Sequence, residues 1–343
     1  RITETQILLQ QQKLHPDISL QITIPNEFEK MCPINVGYTA GIETTKVAPV
    51  WLQKGNDMDK ILVVSNHAKE SYEKTSIPFR DPTTGEDSVY KLNTPIDVTW
   101  ESTPRVEPEE INELNLDYDF NFLIVSQIAP RKNFSNAISW WIEEFIDQEV
   151  GLVIKTNIRS NCRMDLEYTE GNLKAVLDNY PDRKCKVYLL HGDLSSGQMT
   201  GLYTNPKIKA TINIAHGEGF GLPLFEAARE GLPIITIGWS GQLDFLKHGR
   251  KKYFQKVDHT LKPVQIEAQW EGVIQRDSMW AFADQGSYKM VLRKTFKKYD
   301  KAKKTALDLK KIIDDKFSDE KLYEKFCTSL LQIEGLNQDE TTL

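Results

Sequence analysis

Short apolar runs rich in β-branched residues alternate with helix-like stretches along this chain. In its second half the strand-like runs are residues 120–126 (FNFLIVS), 151–155 (GLVIK), 187–191 (VYLLH), 211–215 (TINIA) and 233–237 (PIITI). Helical patterns lie between them, at residues 133–145, 173–180 and 223–230. Strands joined through helices pair in parallel, so this order predicts an α/β fold with a parallel sheet covered by helices on both faces. Right-handed crossovers would make the sheet Rossmann-like.

The first part of the chain repeats this order in a shorter form. Residues 19–25, 34–38 and 60–64 are predicted strands, and Ser65 is placed to N-cap a helix over residues 66–74. Five prolines then interrupt the pattern between residues 76 and 110. We therefore predict an N-terminal Rossmann-like domain, a second Rossmann-like domain and a C-terminal helical segment, over residues 1–116, 117–300 and 301–343.

Length and composition exclude several classes of protein. At roughly 150 residues per domain, 343 residues make two domains. The net charge of −6 argues against a protein that coats nucleic acid, and no apolar run approaches the 18 residues of a membrane span. The four cysteines are scattered without a C-x-x-C pair, which argues against a disulfide framework or a zinc site. With no signal-peptide pattern after Arg1, we expect a cytoplasmic protein.

The segment most suggestive of chemistry is residues 215–231 (AHGEGFGLPLFEAAREG), which follows a predicted strand and opens a predicted helix. We expect Gly217, Gly219 and Gly221 to adopt left-handed backbone angles and to let a ligand approach closely. Pro223 suits the first helical position, where its missing N–H has no cost. The start of this helix would then face the carboxyl edge of the sheet, where a diphosphate is favoured.

Two carboxylates flank this turn. Glu218 lies in the glycine-rich loop and Glu226 is expected in the first turn of the helix, so both can face one cleft. The spacing alone leaves an alternative open, in which Glu226 merely complements the helix dipole and Glu218 is incidental. The segment is neither a G-x-G-x-x-G fingerprint nor a Walker A loop.

The Glu218-x7-Glu226 spacing, with the sequence GFGLP from Gly219 to Pro223 inside it, closely resembles the signature of retaining GT-B glycosyltransferases of family four. Four other segments resemble that family in the same order: residues 35–44, 63–69, 126–133 (SQIAPRKN) and 236–243 (TIGWSGQL). The resemblance implies two Rossmann-like domains facing a cleft. The first would hold the acceptor, the second a nucleotide-diphosphate sugar, and the C-terminal helices would pack back toward the first.

The resemblance also implies roles for individual residues. Glu218 would contact and orient the sugar ring, as the catalytic candidate, while Glu226 would bind the ribose hydroxyls. Lys132 would hold the donor diphosphate, and Arg131 could replace the family arginine, whose position is occupied by Gln127. The donor-binding candidates are therefore Lys132, Arg131, His216, Gly219, Phe220, Gly221, Leu222 and Glu226.

Several side chains have two interpretations from sequence. His216 either reaches the donor or is an ordinary loop histidine with its own partners. Lys155 ends a predicted strand at the ligand edge, where it either meets a phosphate or is simply solvated. The D-x-D pairs at residues 57–59 and 117–119 precede strands, away from that edge, so we predict no metal site and no cofactor besides the donor substrate.

The first domain is expected to be incomplete. The family's glycine-rich loop after its first strand has no counterpart here. We recognise one to two βα units fewer than a typical doubly wound half contains. The predicted function is transfer of a sugar, with retention of configuration, to an unspecified glycan, lipid or protein acceptor. Two alternatives remain: a nucleotide-sugar epimerase of the same architecture, and a non-catalytic nucleotide-sugar-binding module.

Overall fold

The computed structural model describes Ile7, Gln11, residues 16–80, Thr83 and residues 85–333. Its strands are β1 Ile18–Ile22, β2 Ile34–Thr39, β3 Lys60–Val63, β4 Ile77–Arg80, β5 Asp87–Tyr90, β6 Ile96–Val98, β7 Asn121–Val125, β8 Gly151–Thr156, β9 Lys186–His191, β10 Ile208–Asn213, β11 Ile234–Ile237, β12 Lys247–His248, β13 Lys251–Lys252, β14 Gln255–Val257, β15 His259–Pro263 and β16 Met279–Ala283. Its helices are α1 Pro49–Asn56, α2 Asn66–Lys74, α3 Phe134–Phe145, α4 Arg163–Leu177, α5 Ser196–Thr204, α6 Leu222–Arg229, α7 Leu243–Leu246, α8 Gln285–Lys297, α9 Tyr299–Lys316 and α10 Asp319–Leu331. The last ten residues of the predicted segment 301–343 lie outside the described part.

The second half of the chain forms a six-stranded sheet in the order β14-β11-β10-β7-β8-β9, and every neighbouring pair is parallel. The chain starts at the central β7, builds outward through β8 and β9, and then returns to the other side of β7 with β10. This is the doubly wound Rossmann order. The predicted parallel sheet is confirmed, and its strand order reverses between β7 and β10.

The first half forms a parallel sheet in the order β1-β2-β3-β6. One face packs on α1 and α2 through a core that includes Trp51 and Tyr72. On the other face α10 covers β2, with the rings of Phe326 and Tyr38 in edge contact at 6.0 Å. Ser65 caps α2 as predicted, its side chain accepting the Ala68 N–H.

The two faces of the six-stranded sheet have different neighbours. Phe122 and Ile154 pack with Trp141 of α3 on one face. Leu123 and Val153 belong to the opposite face, whose core includes Leu202, Tyr203 and Ala227 of α5 and α6. Side chains alternate along a strand, so these buried residues show which face each strand-end residue occupies.

The two sheets are connected by residues 99–120 and by contacts that cross between the halves. In the connecting segment, the Glu109 N–H donates to the Gly197 carbonyl of α5 at 2.9 Å. From the hairpin β15–β16, Val273 enters the core of the first half. The two sheets fall on either side of the expected boundary at residue 116, and the division into domains stays a prediction.

Some elements differ from the sequence expectation. The pattern predicted a helix over residues 173–180, whereas α4 starts at Arg163 and ends at Leu177. The first two turns of α4 bury Asp165 and Thr169 rather than apolar side chains, so the hydrophobic period is missing there. The hairpin β15–β16 was not predicted, because most of β15 is exposed and gives no apolar alternation. Within the described residues, no helix combines the length and apolarity that a membrane span requires.

Two helical glycines test the packing of the connecting segment on α5. A Cβ added at Gly201 would lie 1.9 Å from the Glu109 carbonyl oxygen, whereas one added at Gly171 of α4 has no neighbour within 4 Å. Alanine favours a helix interior by about 0.5–1 kcal/mol over glycine, so Gly171→Ala should raise the free energy of unfolding by that amount. Gly201→Ala should lower it by about 1–3 kcal/mol, because the overlap displaces the segment. Guanidinium denaturation measures both, and effects of the same sign would contradict this packing.

Candidate functional site

The site lies where the strand order reverses. The loop after β7 and the loop after β10 emerge side by side at the carboxyl edge of the sheet, because these two strands are paired. The loops are bonded to each other, with the His216 N–H donating to the Arg131 carbonyl at 2.8 Å. Open α/β sheets bind their ligands at such a switch point.

Glu218 is the most heavily bonded side chain at this edge. Its carboxylate accepts two bonds from Lys132 Nζ, at 2.7 and 2.8 Å, and one from Arg131 Nη1 at 3.0 Å. Asn213 Nδ2, at the end of β10, donates a further bond at 2.8 Å. Burial acts to raise the pKa of Glu218, but the charges of Lys132 and Arg131 outweigh it and lower the pKa to about 2. The carboxylate is therefore ionised and fixed in place.

A short turn presents both cations to this carboxylate. Pro130 opens a single 3-10 turn over Pro130–Lys132, and Asn133 ends it with a left-handed backbone (φ 52°), a conformation that asparagine tolerates. The Asn133 side chain donates to the Ile214 carbonyl at 3.2 Å, which ties the turn to the loop after β10. The sequence PRKN thus folds so that Arg131 and Lys132 both reach Glu218.

Arg131 also connects the two halves of the chain. Its Nη1 donates to the Gly217 carbonyl at 2.6 Å, and its Nη2 lies 3.1 Å from Glu43 Oε1, in the loop after β2. Sequence reasoning did not single out Glu43, because a lone glutamate in a loop has no distinguishing pattern. The one sequence feature that pointed to Glu43 was its position within residues 35–44, a segment that resembles the glycosyltransferase family. Two cations and two carboxylates therefore form a balanced cluster.

The backbone angles of the loop glycines differ in part from the prediction. Only Gly221 has a left-handed backbone (φ 92°), as N-cap of α6, so the expectation was wrong for Gly217 and Gly219. Both are sites of close approach between the halves. A Cβ added at Gly217 would lie 2.4 Å from the Glu43 carbonyl oxygen, and one added at Gly219 would lie 2.9 Å from the Ala40 carbonyl oxygen. The glycines allow the loop after β10 to pack directly on the first half.

The backbone of Glu218 is held by a loop after β11. Its N–H donates to Ser240 Oγ at 2.9 Å, and its carbonyl accepts the Gly241 N–H at 3.0 Å. Ser240 itself has a left-handed backbone (φ 76°), which is unusual for serine. Residues 236–243 were expected near the donor, and the structure places them directly behind Glu218.

Glu226 has different surroundings from Glu218. It is the fifth residue of α6 rather than a first-turn residue, since that helix begins at Leu222 with Pro223 second. Its Oε2 accepts a bond from the Tyr203 hydroxyl at 2.9 Å, and burial raises its pKa. Glu226 lines a cavity of about 280 Å³ whose other lining residues are Thr103, Pro104, Arg105, Val106, Leu194, Ser196, Met199, Thr200, Tyr203, Arg229 and Glu230.

The side chains of Phe220, Leu222 and His216 make packing contacts in this structure, and their contact with a donor stays a prediction. Phe220 is buried against the rings of Phe225 and Phe245, and Leu222 packs on the same cluster. His216 is buried, with Nδ1 2.7 Å from the Ala281 carbonyl and its ring stacked on Trp280 at 4.9 Å. These contacts favour the interpretation of His216 as a loop histidine with its own partners.

The cluster around Glu218 predicts a pH-dependent stability. The pKa of Glu218 is lower in the folded protein than the ordinary 4.5. The unfolded chain therefore binds the extra proton, and this contribution is present above about pH 4.5 and lost toward pH 2. At pH 7, Glu218→Gln should lower the free energy of unfolding by about 3–5 kcal/mol, because it removes the carboxylate partner of the largely buried Lys132.

The same variant gives the pH test. The gap between wild type and Glu218→Gln should narrow as the pH falls from 5 to 3, measured by denaturant unfolding at each pH. Glu271→Gln, at an exposed position, is the control. A gap for Glu218→Gln that stays constant from pH 6 to pH 3 would contradict the charged cluster.

Comparisons by sequence gave no relatives: no family model and no curated protein matches the chain. Solved structures do match. A mutant of TarM from S. aureus, in complex with Fondaparinux, alpha-GlcNAc-glycerol and UDP, is 12% identical with a TM-score of 0.57, over 94% of this chain and 57% of TarM. HepE from Anabaena, in complex with UDP and glucose, is 12% identical with a TM-score of 0.58, over 87% of this chain and 71% of HepE.

A glycosyltransferase from Rickettsia africae is likewise 12% identical, with a TM-score of 0.62, over 98% of this chain and 81% of that protein. At such identity the likeness concerns the fold alone, and the chain spans little more than half the length of TarM. The parallel sheets and these neighbours confirm the expected α/β architecture. The chain has the GT-B fold of glycosyltransferases.

Proposed function

We propose that this chain binds a nucleoside-diphosphate sugar at the switch point and transfers its glycosyl group to an acceptor with retention of configuration. The observation that carries the proposal is the cluster of Glu218, Lys132 and Arg131 at the edge where β7 and β10 meet. It puts two cations and a fixed carboxylate where a doubly wound sheet binds a ligand. The UDP in the structures of TarM and HepE supports a nucleotide sugar as donor.

In this proposal the donor extends from the cavity at Glu226 to Glu218. The half-buried Glu226, oriented by the Tyr203 hydroxyl, accepts bonds from the two ribose hydroxyls. The start of α6 faces the diphosphate, since the first amides of a helix lack partners within it and carry a partial positive charge. The sugar would then lie against Glu218 and the loop after β10.

The chemistry is the departure of a nucleoside diphosphate from the anomeric carbon. Charge develops on the leaving phosphate oxygen, and Lys132 and Arg131 would stabilise it after exchanging carboxylate partners for phosphate oxygens. Glu218 would accept hydrogen bonds from sugar hydroxyls and orient the ring. We assign Glu218 no covalent step.

Two experiments separate this function from its alternatives. Release of UDP from UDP-glucose or UDP-GlcNAc, alone and with a panel of glycans, tests transfer and hydrolysis. NMR of the anomeric protons of the product tests retention. An epimerase would change the free nucleotide sugar without an acceptor, and no structural neighbour described above supports that reading. A binding module, the alternative favoured by Gln127, would bind the donor and release nothing.

The ribose assignment predicts a selective loss of affinity. Glu226→Ala should weaken UDP binding by about 1.5–3 kcal/mol, because a charged acceptor of two hydroxyl bonds is lost. Tyr203→Phe should weaken it less, since the carboxylate stays but loses its orienting bond. Isothermal calorimetry measures both, with Glu230→Gln in the wall of the same cavity as the control. Unchanged affinity in Glu226→Ala would contradict the assignment.

The donor site also predicts binding without a divalent metal. Asp117 pairs with Lys186, and Asp59 accepts the Asn35 N–H, so these D-x-D carboxylates have other partners. In the described part of the chain, no group of three His, Cys, Asp or Glu side chains is placed to hold a metal. The cations and the start of α6 supply the positive field instead.

UDP should therefore bind as well in EDTA as in magnesium. The measurement is a calorimetric titration in each buffer. A loss of affinity of about tenfold, or 1.4 kcal/mol, under chelator would show that the metal-free proposal is wrong.

A further inference from the structure

Lys155 lies at the carboxyl end of β8, next to the switch-point strand. It is paired in register with Val125 of β7, and its carbonyl accepts the Ser126 N–H at 3.1 Å. The loop that begins at Ser126 is the one that carries Arg131 and Lys132. Lys155 is therefore one strand away from the two cations of the cluster, at the same edge of the sheet.

The alternation of side chains places Lys155 on the same sheet face as the Glu226 cavity. Val153, two residues earlier, belongs to the core formed with Tyr203 and Ala227. Tyr203 bonds Glu226 and lines the cavity. Asp193 lies two residues past the end of the next strand, β9. Its charge acts on Lys155, and the cavity residue Leu194 follows it. A ligand reaching from Leu194, after β9, to Lys132, after β7, would cross the end of β8, because β8 lies between those two strands.

Lys155 differs from Lys132 and Arg131 in its partners. Lys132 and Arg131 are each held by carboxylates, those of Glu218 and Glu43. Among the described residues, Lys155 Nζ makes no hydrogen bond and no ion pair within 4.0 Å. It is half-buried, and burial lowers its pKa by more than the charge of Asp193 raises it. A cation taken partly out of water without a partner is costly, and an anion bound beside it would remove that cost.

We propose that Lys155 binds the diphosphate of the nucleotide, on the side nearer the nucleoside. This inference rests on the proposed function and adds a residue to it. Lys132 and Arg131 would face the end of the diphosphate that carries the sugar. The ammonium of Lys155 would face the end that carries the ribose. A single ammonium acts as a point charge, so lysine suits this position without a fixed geometry.

The test is the affinity of Lys155→Met for UDP and for uridine, by calorimetry and by NMR titration respectively. The matched control is Lys186→Met, which removes the same charge from the opposite edge of the same sheet, where Lys186 pairs with Asp117. Lys155→Met should weaken UDP about tenfold or more and uridine less than about twofold. Lys155→Arg should keep most of the UDP affinity, because it retains the charge.

Three results would contradict the assignment of Lys155 to the diphosphate. UDP affinity in Lys155→Met equal to that in Lys186→Met would exclude the contact. Equal weakening of UDP and uridine would assign Lys155 to the nucleoside and overturn its role at the phosphate. If the wild-type protein binds none of UDP, GDP, ADP and dTDP, the proposed function is wrong together with the role of Lys155. The first two results would contradict only the role of Lys155. Thermal unfolding of each variant checks that Lys155→Met remains folded.

Discussion

The ion pairs from Lys132 and Arg131 to Glu218 join the two loops at which the sheet changes direction. A doubly wound sheet leaves a crevice between its two central loops, because their crossover helices lie on opposite faces. In this chain the crevice is bridged by charged side chains, with bonds of 2.7 to 3.0 Å to a buried carboxylate. Their geometry depends on the PRKN turn, on Asn213 at the end of β10, and on the loop around Ser240. These supports come from three separate parts of the sequence.

The same cluster couples the halves of the chain to the site. Arg131 reaches Glu43 in the first half, and Gly217 and Gly219 lack the Cβ atoms that would keep the two halves apart. A bound diphosphate would compete with Glu43 and Glu218 for Arg131 and Lys132. Binding of the donor would therefore change the contact between the halves, since one set of charges serves both interactions.

Much of the fold was predictable because burial gives a strand or helix a regular hydrophobic period. Five of the six strands of the larger sheet, all except β14, were predicted within a few residues, as was the Ser65 cap. Prediction failed where a helix or strand does not bury apolar side chains at regular intervals. Helix α4 buries the polar Asp165 and Thr169, and strand β15 exposes most of its residues. It failed similarly for Gly217 and Gly219, whose small size serves a contact with the first half rather than a backbone angle.

The sequence by itself determined the parallel sheet, the glycine-rich turn before α6, and the candidates Glu218, Glu226, Lys132 and Arg131. The sheet and the turn follow from local periodicity and composition, and Glu218 and Glu226 from their place around the turn, whereas Lys132 and Arg131 came from the resemblance to a glycosyltransferase family. Only the tertiary structure decided which charges pair. Glu43 meets Arg131 across 88 residues of sequence, and strand pairing brings Lys155 to the same edge of the sheet. Such pairings depend on the distance between side chains in space, and a sequence pattern records only their distance along the chain.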